Sequence, residues 1–308
     1  MHNEDIIILN IQKNPADHLA GFFFKHEQMK KVAIQGVAGA YHDIAARAFF
    51  KGEEIEIVAC LTFKDVFATM RKGDAQFGII AIENTIAGSL LQNHNLLREY
   101  DTSIIGEFKQ RISHCLAALP GQTMEDITEV HSHPIALMQC GDFLEQHPEW
   151  KAVESEDTAL SAKEIQDGQI KGRAAICSEL ATKTYGLTIL EKGIETNKRN
   201  FTRFLILADR WAAEQYTKPS EIKKASIVFT THHEIGALSQ VLSVLSFYHN
   251  NLTKIQSLPI MGHEWEYLFF IDLTFEDYMK YKQSLDAIRP LTKNLRVLGE
   301  YSIGRQQL

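Results

Sequence analysis

The chain has 308 residues, of which 45% are hydrophobic and 23% are charged, so it can bury a sizeable core in two domains or in one divided domain. The formal net charge of −7 and the pI near 6.0 exclude a broadly basic surface for nucleic acid, and no apolar run reaches the roughly 20 residues that cross a bilayer. We therefore expect no nucleic-acid partner and no membrane partner, and any anionic ligand must be bound at a local site.

The cysteine pattern and the N-terminal composition are typical of a cytoplasmic protein. The cysteines lack CxxC spacing, which argues against a zinc site or a disulfide framework, and we interpret them as reduced thiols. Residues 1–28 do not resemble a signal peptide, because charged residues interrupt their short apolar runs. We interpret them as an N-terminal extension of unassigned role and place the start of the first domain at Met29. The four cysteines are Cys60, Cys115, Cys140 and Cys177.

Short apolar runs alternate with helical patterns from residue 31 to about 209. This alternation predicts an α/β domain, residues 29–209, with largely parallel strands. In such sheets ligands gather at the carboxyl ends of the strands. Small or polar residues follow several of the predicted strands, so we expect a binding site along this edge. They are Gln35-Gly36, Glu83-Asn84, His131-Ser132 and Cys177-Ser178.

Residues 208–224 carry charges and Pro219 and show no strong hydrophobic period, which predicts a domain boundary. The hydrophobic pattern after this segment differs from the one before it. The patterns that follow predict strands and helices in the order βαββαβ. This is the split ferredoxin-like arrangement, and we assign it to a second domain, residues 222–304.

A glycine motif, GVAGAYHDIAA at residues 36–46, separates the first predicted strand from the first predicted helix. Its two glycines allow close backbone approach to an anion at the helix N-terminus, and the alternative is a tight turn without a ligand. The motif lacks GxGxxG spacing, so we predict no dinucleotide cofactor.

Two further motifs place polar side chains at predicted strand ends. In IENTIAGSL, residues 82–90, Asn84 beside Glu83 can donate and accept hydrogen bonds at once, although such a pair also closes ordinary loops. In VHSHPIALMQC, residues 130–140, Ser132 or His133 is a candidate N-cap, and Ser132 and Gln139 face the same way two turns apart. The HxH pair has no third ligand at a suitable spacing, so we predict no metal site.

The segment NKRNFTRFLIL, residues 197–207, delivers polar groups to the mouth of an apolar strand. A pocket for an oxygen-rich anion needs neutral donors and a cation where water is scarce, which Asn200, Thr202 and Arg203 can supply. The alternative is a local turn in which Arg203 forms a structural ion pair.

In this order, the motifs resemble those of the prephenate dehydratases, and GALSQVLSVLSFYHNNLTKIQSLP at residues 236–259 resembles the ACT domain attached to that family. The resemblance covers about residues 30–304. It implies two catalytic lobes similar to a periplasmic-type binding protein, with the active site in the cleft. It also implies conversion of prephenate to phenylpyruvate, with loss of carbon dioxide and water, in phenylalanine synthesis. No cofactor is implied, and nothing resembles a fused chorismate mutase, so the resemblance predicts a single activity.

The resemblance also implies roles for individual residues. Thr202 is aimed at the leaving hydroxyl, with Glu83 and Asn84 as its catalytic partners. The substrate-binding residues implied are Ser132, Gln139 and Arg203, and the possible further contacts are Thr158, which is otherwise a helix cap, and His42. Two residues depart from the pattern of the family, Ala40 and His42. His42 stands where the family usually has serine, and it either donates a hydrogen bond to the substrate or fills space beside Tyr41.

In the family, phenylalanine binds between ACT domains of neighbouring subunits. The first motif of that site survives as Gly236, Ala237 and Leu238, whereas the second reads Gln256-Ser257-Leu258-Pro259 and has lost both of its charges. The resemblance therefore implies a homo-dimer or homo-tetramer assembled through residues 222–304, with phenylalanine as effector at Gly236 to Leu238, Ser257 and Pro259. The alternative is an ACT domain that mainly holds subunits together.

Two other functions fit parts of the pattern. An arogenate dehydratase performs the same chemistry on the aminated substrate, and the sequence does not separate the two. A non-catalytic amino-acid sensor shares the two-lobed fold, but the retained NFTRF and HSHPIALMQC motifs favour an enzyme.

Overall fold

The computed structural model describes residues 29–260, 262 and 266–307, so the N-terminal extension of residues 1–28 lies outside it. The described chain forms three β-sheets with helices packed against them. Residues 30–111 build most of a first lobe. Their elements are β1 (Lys30–Gln35), α1 (Tyr41–Phe49), β2 (Ile55–Cys60), α2 (Phe63–Lys72), β3 (Phe77–Asn84), β4 (Gly88–Ser89), α3 (Leu91–Glu99) and β5 (Ser103–Arg111).

The chain then crosses into a second lobe, whose five-stranded sheet has the order β10-β6-β9-β7-β8. Its strands and helices are β6 (Cys115–Ala118), β7 (Glu129–Ser132), α4 (Pro134–Gln139), α5 (Gly141–Glu145), β8 (Lys151–Glu154), α6 (Thr158–Gly168), β9 (Arg173–Cys177), α7 (Glu179–Thr184) and β10 (Thr188–Lys192). The alanine-rich strands β6 and β9 are buried, apart from the first residue of β9, because helices pack on both faces of the sheet, α6 and α7 on one and α4 and α5 on the other.

A second crossover returns the chain to the first lobe, where β11 (Phe201–Ala208) inserts between β3 and β5 and α8 (Arg210–Tyr216) follows. The prediction of parallel strands holds for β1, β2 and β3, but β11 runs antiparallel to both of its neighbours. The reversal follows from the crossover, because a strand that returns from the other lobe enters this sheet from the opposite end. Two lobes joined by two crossovers are consistent with the arrangement that the resemblance implies.

The third sheet has the order β13-β14-β12-β15, with antiparallel pairs throughout, and two helices cover one of its faces. The βαββαβ order predicted from the sequence is present. The elements are β12 (Lys224–Thr231), α9 (Ala237–Phe247), β13 (Asn251–Pro259), β14 (Tyr267–Thr274), α10 (Tyr278–Ile288) and β15 (Thr292–Tyr301).

This third unit packs directly on the first lobe. One hydrophobic cluster includes Ile80 and Leu205 from the first lobe and Phe270 and Leu298 from the third unit. The last strand, β16 (Arg305–Gln307), leaves the third unit and pairs with β5 of the first lobe. A three-residue strand carries no readable period, so the sequence did not predict this return.

The predicted boundary at residues 208–224 is also structured. Within it, α8 packs Tyr216 against the rings of Phe50 and Phe77 in the first lobe. In the part of the chain that the structure describes, no helix combines the length and the apolar character needed to cross a membrane.

Candidate active site

A cleft of about 480 Å³ opens between the two lobes. Both lobes and the crossovers contribute to its wall. Of the residues predicted at strand ends, Gln35 and Asn84 line it. The lining residues used below are Tyr41, His42, Phe63, Asn84, His114, Gln139, Asp157, Thr158, Thr202 and Phe204.

Thr202 and Asn84 form a cross-strand pair on the cleft floor. Residues 84 and 202 are directly opposite in the β3–β11 ladder, and Asn84 Nδ2 donates to Thr202 Oγ1 over 3.0 Å. A register shift separates the pair Arg203–Glu83 from the pair Phe204–Ala81, leaving one extra residue on β3. This bulge reverses the alternation of β3 at its end and turns Asn84 to the same face as Thr202.

The side-chain amide of Asn84 makes several hydrogen bonds within the protein. Its Nδ2 also lies 2.8 Å from Asn200 Oδ1 and 3.2 Å from the carbonyl oxygen of Phe201. Its Oδ1 accepts from the backbone N–H groups of Ile86 and Ala87. Because Thr202 Oγ1 accepts from Asn84, the hydroxyl proton of Thr202 remains available to an acceptor in the cleft.

Glu83 and Arg203 belong to the opposite face of the same strands and do not line the cleft. Arg203 is almost fully buried, and its Nε lies 2.6 Å from Glu107 while its Nη1 lies 2.5 Å from Asp272 in the third unit. Nη1 is also 3.4 Å from Glu83, which Lys254 of the third unit contacts as well. The structure therefore places these two predicted site residues behind Thr202, at the junction with the third unit.

Two carboxylates at this junction, Glu83 and Glu107, are held in the charged form. Burial alone would raise the pKa of Glu83, but the hydrogen bond and charge of Lys254, with the charge of Arg203, lower it. Burial likewise opposes ionisation of Glu107, and the charges of Arg203 and Lys224 outweigh it, so its pKa is also lowered. Ion pairing thus keeps the half-buried Glu83 and the fully buried Glu107 ionised behind Thr202.

Gln139 and Thr158 reach the cleft, whereas Ser132 does not. Gln139 ends α4 and lies beside His114. Ser132 is fully buried in the second lobe and donates to the carbonyl oxygen of Ile176 over 2.6 Å. Thr158 begins α6, but the cap of that helix is Asp157, whose Oδ1 accepts from two backbone N–H groups.

His42 lies in the cleft wall as a neutral side chain. Its ring packs against Phe63 at 5.5 Å and Phe204 at 4.9 Å between centroids, and burial lowers its pKa to about 3. No hydrogen-bond partner faces its buried Nε2 among the described residues. His42 therefore contributes no positive charge to the site.

The glycine motif joins the two lobes beside the cleft. Ser178 Oγ donates to the carbonyl oxygen of Gly39 over 2.6 Å, and Tyr185 donates to that of Ala38 over 2.8 Å. The N–H of Gly39 donates to Asp43, so it is not available to an anion. A Cβ at Gly39 would lie 2.6 Å from Cα of Ala181, which explains why the position suits only glycine.

We expect Gly39→Ala to lower the free energy of unfolding by about 1–3 kcal/mol more than Gly52→Ala, the typical cost of overpacking. Both glycines have positive φ, 88° and 91°, but a Cβ at Gly52 would meet no atom within 4 Å. Gly52→Ala therefore measures the backbone strain alone. Equal losses in urea denaturation of the two variants would contradict close packing of the lobes at Gly39.

The electrostatics of the cleft are unusual for an anion site. Of the described lining residues none is a lysine or arginine, while Glu156 and Asp157 are acidic. Burial raises the pKa of Asp157 despite the backbone hydrogen bonds that it accepts. Neither Asp157 nor His114 was predicted from the sequence to lie in the site. Asp157 could have been found as an N-cap candidate, because it stands directly before a helical pattern.

The four cysteines are free and buried, and none lines the cleft. Burial raises the pKa of the Cys140 thiol to about 12, so Cys140 is an inert core residue, as its helix position predicts.

The fold and the cleft define a two-lobed α/β enzyme with a hydroxyl group presented at the interlobe floor. The family model described as Prephenate dehydratase matches residues 32–211. The bifunctional chorismate mutase/prephenate dehydratase of Escherichia coli K12 is 31% identical over 275 residues, which are 88% of this chain and 70% of that protein. The chain belongs to the prephenate dehydratase family, whose members are lyases.

Solved structures share the fold. The structure of GqqA, described as a novel type of quorum quenching acylases, has a TM-score of 0.79 and 30% identity, covering 89% of this chain and 98% of that one. Prephenate dehydratase from Arthrobacter aurescens in complex with L-Phe has a TM-score of 0.77 and 24% identity, covering 88% and 90%. At that identity the second likeness concerns the fold alone.

Proposed function

We propose that the chain is a prephenate dehydratase that forms phenylpyruvate, carbon dioxide and water from prephenate as a step of L-phenylalanine synthesis. The observation that carries the proposal is the Thr202 hydroxyl, held by Asn84 at the floor of the cleft with its proton free to donate. The family of the chain supplies the reaction class, and the cleft supplies a place for one small substrate.

The reaction needs little covalent chemistry from the protein. The bond from the ring to its carboxylate breaks, its electron pair enters the ring, and the bond to the 4-hydroxyl breaks, so that hydroxide leaves and becomes water by taking up a proton from the solvent. Thr202 donates a hydrogen bond to the departing oxygen, since a threonine is too weak an acid to give up its proton outright near neutral pH. Aromatisation supplies the driving force.

The cleft favours decarboxylation through its walls. Phe63, Phe204 and neutral His42 offer the reacting carboxylate little solvation, which destabilises it relative to the carbon dioxide that forms. Without a lysine or arginine among the described lining residues, we assign substrate binding to neutral groups such as Gln139 and Thr158. Glu83 and Arg203 then act from behind, by fixing the ends of β3 and β11.

The test is to incubate the purified full chain with prephenate and with arogenate, and to follow phenylpyruvate and phenylalanine separately. We expect phenylpyruvate from prephenate. Phenylalanine from arogenate alone would establish the alternative substrate, and no product from either would reject the enzyme in favour of a sensor.

Acyl hydrolysis, the activity that the description of GqqA suggests, is not part of the proposal. An activated hydroxyl nucleophile needs a base within hydrogen-bond reach. Thr202 receives a hydrogen bond from the Asn84 amide instead, and that amide accepts no proton.

We also propose that residues 222–304 form an ACT domain, that the chain is a cytoplasmic homo-dimer or homo-tetramer assembled through it, and that phenylalanine is its effector. Gly236 is the N-cap of the 11-residue helix α9, with φ of 80°, and lies beside a cavity of about 290 Å³. Ala237, Leu238 and Tyr267 line the same cavity. Ser257 and Pro259 lie on the neighbouring strand β13, opposite Phe269 and Tyr267, and outside its lining.

We expect phenylalanine to bind the full chain and to inhibit it at millimolar concentration or below. Calorimetric titration and activity assays measure the two effects, and Gly236→Ala should weaken both, because the positive φ is strained for alanine. Gly52→Ala, with a similar φ and a distant position, is the control. If the titration shows no heat of binding and the assays show no inhibition, phenylalanine is not the effector, and the role of residues 222–304 is to hold subunits together.

A further inference from the structure

His114 connects both lobes at the floor of the cleft. It lies in the first crossover, between β5 and β6, and only 2% of its surface is exposed. Its Nδ1 lies 3.0 Å from the hydroxyl of Tyr41 in the first lobe, and its Nε2 lies 3.1 Å from Oε1 of the Gln139 amide in the second lobe. The cleft lining includes all three side chains.

The Tyr41 hydroxyl determines which nitrogen of His114 carries a proton. That hydroxyl also lies 2.7 Å from the carbonyl oxygen of Ser113, which can only accept. The single proton of Tyr41 therefore goes to Ser113, and burial keeps the hydroxyl protonated by raising the pKa of Tyr41 well above its usual value. The oxygen of Tyr41 is then an acceptor for His114, so Nδ1 bears the hydrogen.

The second nitrogen of His114 is bare because the ring is neutral. Burial lowers the pKa of His114 and outweighs the contact with Gln139 Oε1 and the charge of Glu195, which act in the other direction. One oxygen of Glu195 already accepts from the backbone N–H of His114, at 2.9 Å. A neutral ring with its hydrogen on Nδ1 must accept at Nε2, so the group that faces it has to be a donor.

This requirement fixes the Gln139 amide. The two ends of an amide have nearly the same shape, so their partners decide which is oxygen and which is nitrogen. The accepting Nε2 therefore requires the two ends of the amide to be exchanged, so that the NH2 group lies where Oε1 stands opposite His114 and the carbonyl oxygen turns to the cleft. If the hydrogen of the neutral ring were on Nε2, Nδ1 would be an acceptor. The Tyr41 proton would then be shared between His114 Nδ1 and the carbonyl oxygen of Ser113.

We propose that His114 is a positioning residue that fixes the Gln139 amide with its oxygen toward the substrate, so that Gln139 accepts a hydrogen bond from it. The identity of the substrate rests on the proposed function. The prephenate dianion has one hydrogen-bond donor, the 4-hydroxyl, because its carboxylates, keto group and ring only accept. Gln139 therefore recognises the proton of the leaving hydroxyl, while Thr202 donates to the oxygen of the same group.

The first test does not depend on activity. Nitrogen-15 NMR of the full chain with labelled histidine distinguishes the two neutral tautomers and the charged ring, and the His114 signal is the one that disappears in His114→Asn. We expect the neutral form with hydrogen on Nδ1. The other neutral tautomer, or a charged ring at pH 7, overturns the proposal, whatever reaction the protein catalyses.

The second test is a double-mutant cycle with prephenate. His114→Asn keeps a donor near Tyr41 but cannot reach Gln139, and Gln139→Met removes the amide. We expect each to lower kcat/KM by ~10- to 100-fold, the scale of a misplaced contact, and the double variant to lose little more than either. His147→Asn, outside the cleft and stacked on Trp150, is the matched control. Losses that simply multiply would show that His114 acts independently of Gln139 and overturn the proposal.

Discussion

Thr202→Val lowers the turnover of prephenate by at least ~10²-fold, within the usual range for a lost acid–base or hydrogen-bonding contribution. Valine keeps the shape of threonine, so the loss reports the hydroxyl alone. That hydroxyl is the group that Asn84 holds at the cleft floor, and no cation among the described lining residues can replace it at the leaving oxygen.

The matched control is Thr230→Val in the third unit. Thr230 is buried to a similar degree, 6% against 9% exposed for Thr202, and donates to a backbone carbonyl oxygen. Both variants lose one buried hydroxyl, so both should show a similar small loss in free energy of unfolding, while only Thr202→Val should lose turnover. Turnover near that of the unsubstituted chain would make Thr202 a structural residue and reject the mechanism.

The strand ends were predictable from the sequence, but the direction of their side chains was not. Glu83, Asn84, Thr202 and Arg203 were predicted to share one site because they share two strand ends. Alternation places neighbours on opposite faces, and the bulge in β3 decides that Asn84, rather than Glu83, shares the face of Thr202 toward the cleft. That bulge depends on pairing with β11, more than 100 residues away, and no local pattern records it.

The cleft itself was predictable only in part. Gln139 and Thr158 were identified by motif, and the structure brings both to the wall. Ser132 follows the same strand-end rule as the other candidates, yet its hydroxyl is used within the second lobe. His114 occupies a crossover with neither a helical nor a strand period, so its role depends on two side chains, from different lobes, that only the fold brings together.

The two interpretations of Arg203 differ in the measurements they predict. A guanidinium that binds substrate should have room for a carboxylate in the cleft. Instead, Arg203 already contacts the carboxylates of Glu107 and Asp272, and Tyr301 lies 3.3 Å from its Nη2. The structure thus favours the structural ion pair, and it joins the first lobe to the third unit.

We expect Arg203→Met to lower the free energy of unfolding by about 3–5 kcal/mol, the typical cost of removing one partner from a buried ion pair. The variant leaves Glu107 fully buried with Lys224 as its remaining cation, and Asp272 without its arginine. Denaturation in urea measures the loss. Lys218→Met is the control, because its exposed pair with Glu221 should contribute only about 0–1 kcal/mol.

The ion-pair cluster around Arg203 also predicts a partial rescue. Formally it contains three cations, Arg203, Lys224 and Lys254, and three carboxylates, Glu83, Glu107 and Asp272. Arg203→Met leaves two cations against three carboxylates. Adding Asp272→Asn restores equal numbers of cations and carboxylates, so the double variant should be more stable than Arg203→Met alone. At a temperature where both variants are folded, KM for prephenate should stay within about threefold of the value for the unsubstituted chain. A threefold change is well below the tenfold change that corresponds to about 1.4 kcal/mol. A KM raised by ~10²-fold without loss of stability would instead place Arg203 on the substrate.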